Sequence, residues 1–266
     1  MGATSVTSGS ATSADLSAPQ PGPPRRVLVI YYSLSGQTRA VLDEMAERLQ
    51  LAGHRVDFAP VRAVGGDYRL PYSKWRFFWE WALAWLGVAI RVPVHPLALP
   101  EGSAPYDLIL LGHQPWYLDT AIPMASWLET DEVALFAGKK VISVMTARTL
   151  WQRAYRRAAE RIEAAGGEII DNFVLRNLSP MPANMPITLH FLFEGHDETP
   201  KALRRLGRFG VGASGRCAAR RYGDLLALRL TYGLLQDTLT HTEGNRQGLL
   251  RGEGAREWRR WMGRSS

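Results

Sequence analysis

Val27-Leu28-Val29-Ile30-Tyr31-Tyr32 is an apolar run that passes within a few residues into an amphipathic helix. Six such residues in succession suit a strand covered on both faces, as in a parallel sheet, because a half-exposed strand would alternate. The period then changes. Val41, Leu42, Met45, Ala46 and Leu49 share one helix face, Asp43, Glu44, Glu47 and Arg48 the other, and Gly53 ends the helix. The turn between them is Ser33-Leu34-Ser35-Gly36-Gln37-Thr38. A turn of this kind aims free backbone N–H groups and the positive end of the helix dipole at one point, which suits an anion. Ser33, Ser35 and Thr38 each add a hydroxyl, and Gly36 permits close backbone approach. The turn lacks the Lys of a Walker loop and the three glycines of a dinucleotide fingerprint. A helix N-cap without any ligand would use the same residue types.

Three later segments repeat the buried-strand pattern: 106–112 (YDLILLG), 138–146 (GKKVISVMT) and 168–175 (EIIDNFVL). With the short strand 55–59 after the first helix the count is five. Helical stretches separate them, among them 151–165, so the expected fold is α/β, a doubly wound five-stranded parallel sheet with right-handed crossovers. A sheet of order 2-1-3-4-5 binds its ligand at the carboxyl ends of the strands, near the switch point between the first and third. Three loops are expected there: 33–38, the loop opened by His113 and containing Pro115, Trp116 and Tyr117, and Ala147-Arg148-Thr149.

Ser33-x-Ser35-Gly36-x-Thr38 after a hydrophobic first strand resembles the T/S-x-T/S-G-x-T loop with which the flavodoxin superfamily holds the phosphate of flavin mononucleotide (FMN). The YDLILLG strand and the Pro-aromatic loop after it are similar to that superfamily's ring-binding region. The resemblance implies FMN held at the phosphate by Ser33, Leu34, Ser35, Gly36, Gln37 and Thr38. The ring would lie against Pro115, Trp116, Tyr117, Ala147, Arg148 and Thr149. The alternative for Trp116 is a plug at the end of the sheet. Arg148 is expected either to stabilise a reduced, anionic flavin or to form a surface ion pair. His113 is a candidate proton donor, with a backbone-bonded structural role as the alternative. Across residues 26–178 the chain is most similar to the flavodoxin-like family named dialkylresorcinol condensing enzyme. Condensation of that kind uses an activated Cys, yet Cys217 is the single cysteine and no signature surrounds it. The resemblance therefore implies a flavin-dependent oxidoreductase or redox accessory protein. It would take reducing equivalents from NAD(P)H to an apolar acceptor, aromatic or quinonoid in kind, in dialkylresorcinol-type lipid or polyene biosynthesis. The alternatives are a flavin-free scaffold of the same fold and a membrane-associated electron carrier.

Outside the sheet segments, residues 1–25 are rich in Ser, Thr, Ala, Gly and Pro and read as a disordered tail with no apolar core of a signal peptide. A cytoplasmic location is the default expectation, with a peripheral position on the inner face of the membrane as the variant. Residues 63–100 form an insert in which Tyr68, Tyr72, Trp75, Phe77, Phe78, Trp79, Trp81 and Trp85 crowd together. Three readings stand: a lid over the flavin enclosing a small apolar substrate, a membrane or partner surface through residues 68–91 (a homodimer included), or an aromatic core. Residues 179–200 read as an extended Pro-rich stretch, and Asp224–Leu235 as the last helix. Residues 201–266 hold 14 Lys or Arg against 5 Asp or Glu, and 1–200 hold 18 against 20, so the net charge of +7 belongs to the C-terminal part. No nucleic-acid motif accompanies that basicity, and nucleic acid is not an expected partner. The domain limits expected are 26–240, followed by a basic tail over 241–266. His190 and His196 lack the spacing of metal ligands with Cys or a third His.

Overall fold

The computed structural model describes residues 20–66, 68–100, 105–117, 119–148, 151–176, 184–196 and 210–235. Strand β1 (Arg26–Tyr31) leads into α1 (Gln37–Leu51), and β2 (Arg55–Pro60) follows. Next come α2 (Lys74–Trp85), β3 (Leu108–His113) and a small hairpin, β4 (Pro115–Trp116) with β5 (Asp119–Thr120). Then α3 (Ile122–Trp127), β6 (Lys140–Ala147), α4 (Trp151–Ala164) and β7 (Glu168–Arg176) complete the sheet region. Two helices end the described chain, α5 (Asn184–Glu194) and α6 (Gly212–Thr231).

The main sheet is wholly parallel in the order β2-β1-β3-β6-β7. Its central strands are buried at nearly every residue, which is why they are continuous apolar runs. One face of the sheet packs α1 and α6 over Val27, Val29, Leu108, Leu110 and Phe173. The other carries Leu28, Ile30, Ile109 and Leu111 against Trp127, Phe136 and Ile162. Gly112 is required by this packing, because a Cβ there would fall 2.4 Å from Leu42 Cδ1 and 3.3 Å from Thr38 Cγ2.

Two expectations need correction. Residues 184–194 of the stretch expected to be extended are helical. Pro186 lies in the first turn, where its missing N–H costs no helix hydrogen bond, and Ile187 and Phe191 form a buried stripe at helical spacing. The last helix begins at Gly212 rather than Asp224. Its N-terminal half hides in an Arg- and Gly-rich stretch, yet Gly223 is what lets α6 meet α1: a Cβ there would sit 3.0 Å from the Met45 Cα. Arg48 and Asp224 (2.5 Å) tie the same two helices. The end of the expected N-terminal tail is also bonded, Gly22 N–H donating to the Thr231 carbonyl at 2.7 Å. The remaining terminal stretches lie outside the described residues.

The insert is closed at its base, where Ala63 bridges Val94 and the Val64 N–H donates to the Pro93 carbonyl at 2.9 Å. No helix among the described residues is long and apolar enough to cross a membrane.

Candidate functional site

Strand β1 lies between β2 and β3, so the first crossover runs to one side and the second to the other. The switch point of the sheet is therefore between β1 and β3, and the ends of these strands open the crevice where such sheets bind ligands.

At that point Gly36 takes a left-handed φ of 75° and caps α1. A Cβ at Gly36 would meet nothing within 4 Å, so the turn is open on this side. The Ser33 and Ser35 hydroxyl oxygens accept from the first-turn N–H groups of Arg39 (3.3 Å) and Gln37 (3.5 Å). Both hydroxyls thus already cap the helix. Leu34 is half-buried among the apolar residues of the insert face. Gln37 points the other way, its Oε1 accepting from the Val211 N–H at 3.1 Å. Thr38 is fully buried, its Oγ1 lying 2.7 Å from Thr146 Oγ1 and 3.5 Å from Gln114 Oε1. One hydroxyl joins the three expected loops, since Gln114 opens the second and Thr146 precedes the third.

The second loop is the β4–β5 hairpin. Pro115 pairs with Thr120, and Trp116 with Asp119. Trp116 is buried against Tyr72 (ring centroids 5.1 Å) and Tyr68 (6.2 Å), so the insert covers it. Tyr117 holds a positive φ of 50°, packs on Phe77 at 5.5 Å, and donates its hydroxyl hydrogen to the Phe77 carbonyl at 3.2 Å. His113 is fully buried. Its Nδ1 lies 2.9 Å from Thr120 Oγ1 and its Nε2 3.0 Å from Ser143 Oγ. Burial pushes its pKa down to about 3. An imidazole so placed is a neutral strut between β3, β5 and β6 at neutral pH, both ring nitrogens facing hydroxyls.

In the third loop Ala147 is buried and Thr149 lies outside the described residues. Arg148 is half-buried, and one guanidinium nitrogen reaches Met185 Sδ on α5 at 2.8 Å. Among the described residues no carboxylate forms an ion pair with it. Desolvation pulls its pKa below the ordinary guanidinium value. A cation removed from water without a counter-charge is costly, and it prepares the place for an anion.

One polar group at the site was visible in sequence only as an interruption. Glu80, the single acid in the apolar run 77–90, is the one buried residue of α2. It accepts from the hydroxyls of Tyr68 (2.9 Å) and Tyr72 (2.8 Å), with Arg76 Nε 3.9 Å away. Burial raises its pKa, against the lowering effect of the Tyr72 and Tyr68 hydrogen bonds and of Arg76. Burial, with Glu80 adding to it, also raises the pKa values of Tyr72 and Tyr117. Helix α5 braces the other side of α2, through the Tyr72 N–H bond to the Leu192 carbonyl (2.6 Å) and through Phe193 on Phe77 (5.4 Å). His190 and His196 face each other edge to face at 5.8 Å, and no group of three metal-ligating side chains gathers among the described residues.

A parallel sheet of order 2-1-3-4-5, with its loops joined at the β1–β3 switch point, identifies the architecture. The fold is flavodoxin-like. No protein-family model matches the chain, and no curated protein does. Among solved structures it is similar to a flavodoxin from the domain Archaea, at 14% identity over 77% of this chain and 98% of that one, TM-score 0.40. It is also similar to a flavodoxin, WrbA-like protein from Agrobacterium tumefaciens, at 12% identity over 77% and 97%, TM-score 0.39. A third is an NAD(P)H:quinone oxidoreductase from Methanothermobacter marburgensis, at 16% identity over 77% and 96%, TM-score 0.37. Within this flavodoxin-like frame, the insert carrying α2 and the helix α5 are what surround the second and third loops.

Proposed function

We propose that the chain binds FMN at the β1–β3 switch point and serves as an oxidoreductase or redox accessory protein for an apolar acceptor. The observation that carries this reading is the open β1–α1 turn at the switch point, where Ser33, Ser35 and the first turn of α1 gather neutral donors; in the third loop the half-buried Arg148 guanidinium has no described carboxylate partner. The donor set fits a flavin phosphate: Ser33, Ser35 and the N-terminus of α1 supply neutral donors, and Gly36 leaves the approach open. FMN, when bound, supplies the hydride and electron chemistry. The chain's own part is to hold and enclose it. Tyr117 and the backbone of residues 147–148 border the ring, Arg148 offers positive charge, and α2 with Tyr68 and Tyr72 excludes water and lines an apolar approach.

An aromatic or quinonoid acceptor suits that lining, and NAD(P)H is the proposed reductant. The resemblance to dialkylresorcinol condensing enzymes supports a place in aryl-lipid or polyene biosynthesis. Cys217 lies exposed on α6 with no recognisable catalytic signature around it, so a redox or accessory step fits this chain better than a thiol-based condensation. One arrangement favours a second reading, that of a flavin-free scaffold: Trp116 is already covered by Tyr72, and both loop serines already cap α1.

The visible spectrum of the purified protein, followed by anaerobic addition of NAD(P)H and a quinone, tests the proposal. A bound-flavin spectrum that bleaches with NAD(P)H and recovers with quinone is expected. A colourless protein that FMN does not alter would leave the scaffold reading standing.

A further inference from the structure

Helix α2 is built inside out. Its one buried residue is an acid, Glu80, while Trp75, Phe78, Trp79, Trp81 and Trp85 are exposed, Trp75 by 81% and Trp85 by 62%. At 3.6 residues per turn, Trp75, Phe78, Trp79, Ala82, Trp85 and Leu86 fall within an arc of about 120°, with Glu80 on the far side. The arrangement holds because the inner face is fixed by polar bonds, from Tyr68 and Tyr72 to Glu80 and from Tyr117 to the Phe77 carbonyl. The apolar surface continues past the helix through Leu86 and Val88. Five large exposed aromatics on one short element need a partner surface.

The charges decide which partner. Arg62, Arg69 and Lys74 are exposed in the segment that carries the aromatics, and the sole described carboxylate between residues 61 and 100 is Glu80, which is buried. A two-fold contact with a second copy would set the same patch against itself, bringing these cations together with no described exposed carboxylate of the segment facing them. An anionic lipid surface supplies the missing charge, and the net charge of +7, which residues 201–266 carry, draws the chain towards it from a distance. Trp is the side chain that settles at the boundary between headgroups and acyl chains. Twelve residues make about 18 Å of helix, far short of the roughly 30 Å hydrocarbon layer, so α2 lies in the plane of the surface.

We infer that the outer face of α2 is a docking surface for anionic phospholipid bilayers, seated in the headgroup region by Trp75, Phe78, Trp79 and Trp85. The same helix covers the ring loop through Tyr117 and Phe77, so docking brings that loop to the lipid surface, where an apolar acceptor is dissolved. The lipid contact itself does not depend on the flavin reading.

The full chain, without added flavin, is floated with vesicles of phosphatidylcholine and phosphatidylglycerol and with vesicles of phosphatidylcholine alone. Flotation with the anionic vesicles is expected, together with quenching of tryptophan emission by lipids brominated on the acyl chain. The double variant Trp79→Asp, Trp85→Asp is expected to lose flotation at least tenfold. Leu228→Asp, at an exposed leucine on α6, retains it and controls for surface charge. Light scattering without vesicles gives the oligomeric state. Three results would overturn the inference: no flotation and no quenching by the unaltered chain; flotation undiminished in the double variant, which would assign it to another segment such as the basic C-terminal tail; or a dimer that the double variant dissolves.

Discussion

The Thr38 and Thr146 hydroxyl oxygens lie 2.7 Å apart in the buried seam between the start of α1 and the end of β6. Two elements separated by more than a hundred residues meet there, and the loops that follow each are held in one crevice. Thr38→Val keeps the shape and removes the bond, leaving the Thr146 hydroxyl buried with one partner fewer. The expected cost is about 1 to 3 kcal/mol in chemical denaturation, larger than the cost of Thr38→Ser. Equal stability of the two variants would show that the pair does not hold the seam.

Arg148 is predicted to act against stability. Replacing it with Met removes a desolvated cation that no described carboxylate neutralises, so the variant is expected to unfold at equal or higher denaturant, by about 0.5 to 2 kcal/mol. The same change should weaken FMN binding. A loss of stability with FMN affinity intact would make Arg148 an ordinary packing residue.

His113 makes stability depend on pH. Burial lowers its pKa in the folded chain to about 3, while the unfolded value is the ordinary 6.5. Below pH 6.5 the unfolded chain takes up a proton that the folded chain refuses. The stabilising contribution is thus full above 6.5 and falls as the pH drops towards 3, by about 2 kcal/mol at pH 5. His113→Gln has no such proton, so its stability curve between pH 4.5 and 7 should be flatter than that of the parent (window set by the ordinary imidazole value). Parallel curves would contradict the burial of a neutral ring.

Glu80 holds two tyrosine hydroxyls to the inner face of α2. Glu80→Leu strands both donors and should cost about 2 to 4 kcal/mol, whereas Glu80→Gln keeps an acceptor and should cost less. Trypsin susceptibility at Arg69 and Lys74 reports whether α2 has come loose. A Leu variant as stable and as resistant as the parent would mean that the outward aromatics have another cause.

The strands and the turn that opens α1 were legible because both are local signals: a fully apolar strand needs no knowledge of its neighbours, and Ser33 to Thr38 is a continuous turn. The long first half of α6 was not. Gly215 and Gly223 have low helix propensity, and it is the close approach of Gly223 to Met45 and Arg48 that calls for a glycine there. The roles of Gln114 and Thr146 were equally hidden, since each depends on where Thr38 points in the folded chain. The aromatic insert announced itself by composition, but its polarity was undecidable until Glu80 was found inside and Trp75 outside. An acid within an apolar run carries no mark in sequence of which way it faces.

Comparing FMN with riboflavin, its counterpart without the phosphate, tests the central claim most directly. Titration of each into the purified, flavin-free chain, read by quenching of flavin fluorescence, isolates the contribution of the β1–α1 loop. FMN is expected to bind about tenfold or more tighter, because charge-assisted hydrogen bonds to a phosphate each contribute about 1.5 to 3 kcal/mol. Equal affinity for the two, or none for either, would contradict a phosphate cradle at the switch point.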